Sequence, residues 1–266
     1  MVVTGQAPKA VRERQLQAFV KRVPATNNGE ALARWVGPIC PVVAGMTREQ
    51  GEYVLLRLFQ VARAAGAPVI GGGRCTANVY IVATADPEGL AKAWARRSPA
   101  TFTDGKAPEI RDFEETNRPV RAWYDTRIDR SMTMGNSPFA NLPGMGDKKV
   151  IPHAVDTRLL TNSPYALSAA IVVVDSTRVA GIKVGALADY LALTVLAQLK
   201  PQADAGTAPS ILSLFSTPAG SDPPEGLTAW DTAFLYALYH TDLEDLHQAS
   251  AIAASMERQL GKGGAQ

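Results

Sequence analysis

The fold turns on the reading of "VGALADYLALTVLAQLKPQADAGTAPSILSLF", Val184 to Phe215. From Val184 to Leu199 only Asp189, Thr194 and Gln198 are plainly polar, with the hydroxyl of Tyr190 besides. A helix that is apolar nearly all round is buried on most sides, so this segment predicts a central helix. The loop PQADAGTAPS follows, then a Ser-Ile-Leu turn at 210–212. Upstream, ALSAAIVVVDSTRV (166–179) is apolar on both faces as far as Asp175, the pattern of a buried central strand. Downstream, LTAWDTAFLYALY (227–239) predicts a helix with Thr228 at its N-cap and Asp231 three residues on.

The remaining elements are read outward from this centre. KAVRERQLQAFVKRV (9–23) places Val11, Leu16, Phe19, Val20 and Val23 on one side of an amphipathic helix. The segment after it, through ALARWVGPICP, reads as irregular and bounded by proline. TREQGEYVLLRLFQVARAAG (47–66) has Thr47 and Gln50 at capping-box spacing, Gly66 as its stop, and Leu55, Leu58, Phe59 and Ala62 as its buried stripe. A strand near 78–84 follows, then a short helix opened by Asp86 and Pro87, a polar helix within 102–119, and a strand in VRAWYDTRID. Residues 129–164, rich in Gly, Pro, Asn and Ser, read as long loops over a cleft. A last amphipathic helix covers 241–260. Interleaved strands and helices give the class α/β or α+β.

With 27 Lys and Arg against 25 Asp and Glu, the net charge is +2, which offers no electrostatic reason for a nucleic-acid partner. Nowhere do 18 apolar residues run together, so no segment reads as a membrane-spanning helix. The start, MVVTGQAPKAVRERQ, has no apolar h-region; its VVTG is similar to the first mature residues of many alphaproteobacterial envelope proteins. Two cysteines, Cys40 and Cys75, are either buried free thiols or one disulfide of an exported protein.

The chemistry-bearing residues are sparse. His240 and His247, seven apart, fall two helical turns from one another, yet a zinc site needs further ligands. His153 lies in the long loop, and no GxSxG elbow supplies it with a nucleophile. The glycines of IGGGRC precede a strand rather than a helix, so they make a tight turn and not a phosphate cradle. The acids of RDFEETN and TDLEDL read as solvated helical faces. Asp189, alone in its apolar helix, must be paired: it meets either solvent or an arginine such as Arg121 or Arg178, or else it points into a cleft.

From about Ala169 to Tyr239 the succession of strand, helix, loop, turn and helix resembles zinc metallopeptidases of the metzincin type. Ser210-Ile211-Leu212 is similar to their Ser-Ile-Met turn, and Leu227, Thr228, Asp231, Leu235, Leu238 and Tyr239 match their terminal-helix pattern LTxxDxxxLxxLY. Their HExxH helix sets two imidazoles one turn apart with a glutamate beside them. Between Val184 and Pro201 there is no His, Glu or Cys, so the resemblance implies the scaffold without its zinc or its protease activity. Phrases spanning much of 31–200, among them CTANVYIVATADPEGLAKAW and LADYLALTVLAQLKP, resemble an uncharacterised exported alphaproteobacterial family. That resemblance implies a signal peptide removed from the mature chain and a Cys40–Cys75 disulfide.

The expectation is therefore an α/β (α+β) fold, a mixed twisted sheet with packed helices, zincin-like in its C-terminal half. Residues 1–30 form a lead-in with an amphipathic helix, 31–260 a single domain, and 261–266 a disordered tail. The expected function is a non-catalytic, periplasmic or secreted binding module, a pseudoenzyme with no metal and no cofactor, serving an unidentified protein or peptide of the cell envelope. Asp189, Tyr190, Arg121, Trp123, Tyr124 and His153 are the candidate cleft positions. The alternative is a hydrolase that uses carboxylates or His153.

Overall fold

The computed structural model describes residues 9–26, 31–70, 73, 75–97, 107–128, 165–217, 221–242, 245 and 247–263. His153 and the 129–164 segment lie outside them. The fold is mixed α/β, organised about one long strand, β5 (Tyr165–Asp175). Its side chains alternate between two cores: Ala170, Val172 and Val174 enter the larger, Ile171 and Val173 the smaller. That two-sided burial is what the apolar run at 170–174 requires.

Strand β4 (Val120–Ile128) lies antiparallel along one edge of β5 over its whole length. The other edge is shared in parallel by β1 (Arg34–Trp35), against Ala166 and Leu167, and β3 (Val79–Thr84), against Ala170 to Asp175. Beyond β3 lies β2 (Pro41–Ala44), also parallel. Helix α2 (Arg48–Ala65) connects β2 to β3 across the larger core. Helices α3 (Pro87–Arg97) and α4 (Ala107–Glu115) cover the opposite face, where Ala91 and Phe113 pack on Trp123 of β4. The central helix α5 (Val184–Leu196) packs between the sheet and α2. Helices α1 (Lys9–Arg22), α6 (Ala229–His240) and α7 (Gln248–Gly263) enclose the larger core.

Local chemistry explains the element ends. Both arms of the capping box form at Thr47 and Gln50, and Gly66 ends α2 with φ 81°, a left-handed conformation that glycine adopts without penalty. Asp86 accepts from the Gly89 N–H at 2.9 Å and opens α3.

The structure departs from the sequence reading in several places. Strand β1 lies in the segment read as irregular, and β2 begins at its last residue; both are too short for a periodic signal and owe their conformation to their neighbours. The buried stripe of α2 is Val54, Leu58, Val61, Ala62 and Ala65, because the helix is turned toward α5 and α6; Leu55 and Phe59 flank that stripe, half-buried. Val11 is 39 % exposed, one turn before α1 meets the core at Leu16. Helix α7 starts at Gln248 rather than near 241 and runs through Gly263, past the start of the expected tail. His240 is therefore the last residue of α6 and His247 lies in the turn before α7, so the two imidazoles do not share a helix face.

Candidate functional site

The C-terminal framework is built around Asp231. Its carboxylate, 0 % exposed, accepts from the Ser210 hydroxyl at 2.5 Å, the Ile211 N–H at 2.8 Å, and both the N–H and the hydroxyl of Thr228 at 2.9 Å. Thr228 answers as N-cap, its Oγ1 accepting from the Asp231 N–H. One side chain thus ties the start of α6 to the Ser-Ile-Leu turn, a 3₁₀ turn over Ile211–Phe215. Burial pushes the Asp231 carboxyl above its ordinary value, and the four donors oppose that shift. At the far end of α6, the Tyr239 hydroxyl donates to the Leu196 carbonyl at 2.8 Å, fixing α6 to the end of α5.

A cleft of about 550 Å³ opens between β4, α5, the 199–206 loop and the 3₁₀ turn. On α5 the residues facing it are Tyr190 and Thr194, one helical turn apart. Thr194 donates its hydroxyl back to the Tyr190 carbonyl at 2.9 Å, and Tyr124 of β4 donates to the Thr194 carbonyl at 2.7 Å. The Tyr190 ring meets Phe215 edge-on with centroids 5.0 Å apart, so helix and turn form one continuous wall. The 199–206 loop is held from behind by α1 and the residues after it: Lys200 N–H donates to Val23, and Ala25 N–H to Gln198.

Of the residues read from sequence as cleft positions, Tyr190 and Tyr124 line this space, and Arg121 borders it with its guanidinium turned away. Asp189 points the other way. It is 4 % exposed and carries a two-point ion pair with Arg57 of α2, while its Oδ2 also accepts from the Leu227 N–H at 2.8 Å. Gly226 permits that approach, since a Cβ there would lie 2.7 Å from Oδ2. The partner is thus neither Arg121 nor Arg178. Arg178 reaches Asn117, and the guanidinium of Arg121 donates to the carbonyls of Phe113, Glu114 and Thr116, closing the end of α4. Trp123 packs edge-on against Phe113 in the smaller core. Arg121 and Trp123 share one face of β4 and Tyr124 the other, as strand alternation dictates.

Sequence reasoning missed Thr194, Phe215 and Arg57. The i, i+4 spacing of Tyr190 and Thr194 was a signal available for the first of these. Among the described residues no group of three His, Cys, Asp or Glu side chains is placed to hold a metal ion. Compared with protein-family models, curated proteins and solved structures, the chain finds no match.

Breaking the α2–α5 link has a defined consequence. Arg57→Met leaves the Asp189 carboxylate buried with one N–H donor. Loss of a fully buried partner costs about 3–5 kcal/mol. The Arg57 side chain keeps 35 % of its surface in water, so the expected loss is about 2 kcal/mol. Urea unfolding measures it, and a loss below about 0.5 kcal/mol would mean the pair adds nothing to stability.

Proposed function

We propose that this protein is a non-catalytic, exported binding module whose cleft holds an extended segment of a protein or peptide of the cell envelope, on a degenerate metallopeptidase-like scaffold. The observation that carries this reading is the cleft-facing pair on α5. Tyr190 and Thr194 stand one helical turn apart on the cleft wall, the spacing at which zinc peptidases set two imidazoles, and Leu191 beside Tyr190 is wholly buried. An aromatic ring and a hydroxyl already bonded to its own helix bind by shape and stacking; they do not activate water.

Two further features support the reading. Among the described residues β4 is paired along one edge alone, and the cleft runs beside it; an unpaired edge offers backbone donors and acceptors to an added strand. The Cys40–Cys75 disulfide is the form cysteines take in an oxidising compartment, which favours a periplasmic or secreted location. No helix among the described residues is long and apolar enough to cross a membrane.

The test is selection from a displayed library of random decapeptides. Wild type is expected to enrich a sequence class, and Ser213→Trp, which fills the cleft from the 3₁₀ turn, to weaken those peptides by at least about tenfold while unfolding at an unchanged urea midpoint. Failure of wild type to enrich any class, or equal enrichment by Ser213→Trp, would refute the proposal.

A further inference from the structure

We infer that the cleft selects a ligand carrying a carboxylate, seated between the Tyr190 hydroxyl and the cations of Arg118 and Lys200. The inference rests on the binding reading above and adds the chemical class of what is bound. Two cations, Arg118 and Lys200, border the cleft against a single carboxylate, Asp204; the guanidinium of Arg121 is turned to the end of α4. Asp204 is spent: it is paired with Arg22 and accepts from the Gly206 N–H. Including Arg22, and Asp112 behind Arg118, the count is three cations to two anions, an excess of one positive charge, that of Lys200, beside a concave, partly apolar space. Concave walls of low dielectric concentrate such a field.

The individual groups have capacity left for an anion. Lys200 donates to the Lys21 carbonyl at 2.6 Å, which uses one of its three protons, and it forms no ion pair among the described residues. Arg118 engages Asp112 through its two Nη atoms, which leaves Nε. The Tyr190 hydroxyl has no hydrogen-bond partner among the described residues, although its ring is fixed edge-on against Phe215. Burial pushes that hydroxyl up to about 12, with Arg118 pulling the other way, so it stays a donor throughout the physiological range. A neutral donor flanked by cations on a rigid aromatic wall complements a carboxylate and penalises its amide, which brings hydrogens where donors already converge.

Three probes decide it by titration calorimetry: N-acetylphenylalanine, with a terminal carboxylate; the α-amide of N-acetylphenylalanylaspartic acid, with a side-chain carboxylate; and N-acetylphenylalaninamide, with none. At least one acid is expected to bind about tenfold tighter than the neutral amide. The one that binds tells a chain terminus from an acidic side chain. Lys200→Met and Tyr190→Phe should each weaken the acid by about fivefold and leave the amide unchanged, and added salt should weaken the acid alone. Equal binding of acid and amide, both lost in Ser213→Trp, would overturn the carboxylate seat and leave the binding reading standing. Binding of none of the probes would also overturn the seat, and the decapeptide library then decides separately whether the cleft binds anything.

Discussion

Asp231→Ala is expected to lose about 4 kcal/mol of stability at neutral pH, the largest effect of any single substitution considered. Four donors converge on this carboxylate, and two of them, the N–H groups of Ile211 and Thr228, are fixed by the backbone. Hydroxyls of Ser210 and Thr228 can turn to other acceptors; the amides cannot. An unsatisfied buried donor costs about 1–3 kcal/mol, and the α6 N-cap loses its reciprocal bond as well. Urea unfolding at fixed pH gives the number, and a loss under about 1 kcal/mol would mean that water or backbone movement replaces the carboxylate. Asp231→Asn should fall between, since one oxygen remains to accept.

The pH dependence follows from the upward shift. Because burial holds the Asp231 proton more tightly in the folded chain than in the unfolded one, the pH-dependent part of the group's contribution is complete below its ordinary value of 3.8 and is lost as pH rises through the higher folded value. The stability gap between wild type and Asp231→Asn should therefore be wider at pH about 3 than at pH about 7. A gap that widens toward neutral pH would show that the four donors outweigh burial.

These residues also mark where the sequence was legible. Thr228 and Asp231 stood out because capping chemistry is local: residue type and spacing suffice; Ser210 was singled out by resemblance alone, and the structure joins all three as one unit. Strand β5 was legible for a similar reason, since an apolar run with no polar phase has to be buried on both faces. The same lack of phase hid the cleft. Helix α5 is apolar on every side, so its sequence does not say which side faces the open space; Asp189 looked like the exception that lines a site, whereas its neighbour Tyr190 does so and Asp189 is turned to α2. On β4, by contrast, phase was present: Trp123 and Tyr124 are adjacent and so face opposite cores. The short strands β1 and β2 and the end of α1 at Val11 depend on residues far along the chain, which no window of sequence contains.

The second large effect concerns the link between β2 and β3. Removing the disulfide in a Cys40→Ala/Cys75→Ala chain is expected to cost up to about 4 kcal/mol, the chain-entropy value for a loop closed over a sequence separation of 35. The effect should act mainly through the unfolded chain, because the folded one holds this junction by other means. Asn78 accepts from the Cys40 N–H at 2.8 Å, donates to the Pro38 carbonyl at 3.0 Å, and gives its own N–H to the Cys40 carbonyl at 3.1 Å. With those bonds in place the strand register Pro41↔Val79 survives without the sulfurs. Two measurements separate the routes. The urea m-value should rise in the double variant, since its unfolded chain exposes more surface, while amide exchange along β2 and β3 in the folded state should stay at the rate set by global unfolding. If exchange at Val42 and Tyr80 instead became faster than global unfolding allows, the bond would be holding the native edge of the sheet, and the hydrogen bonds of Asn78 would be too weak to replace it.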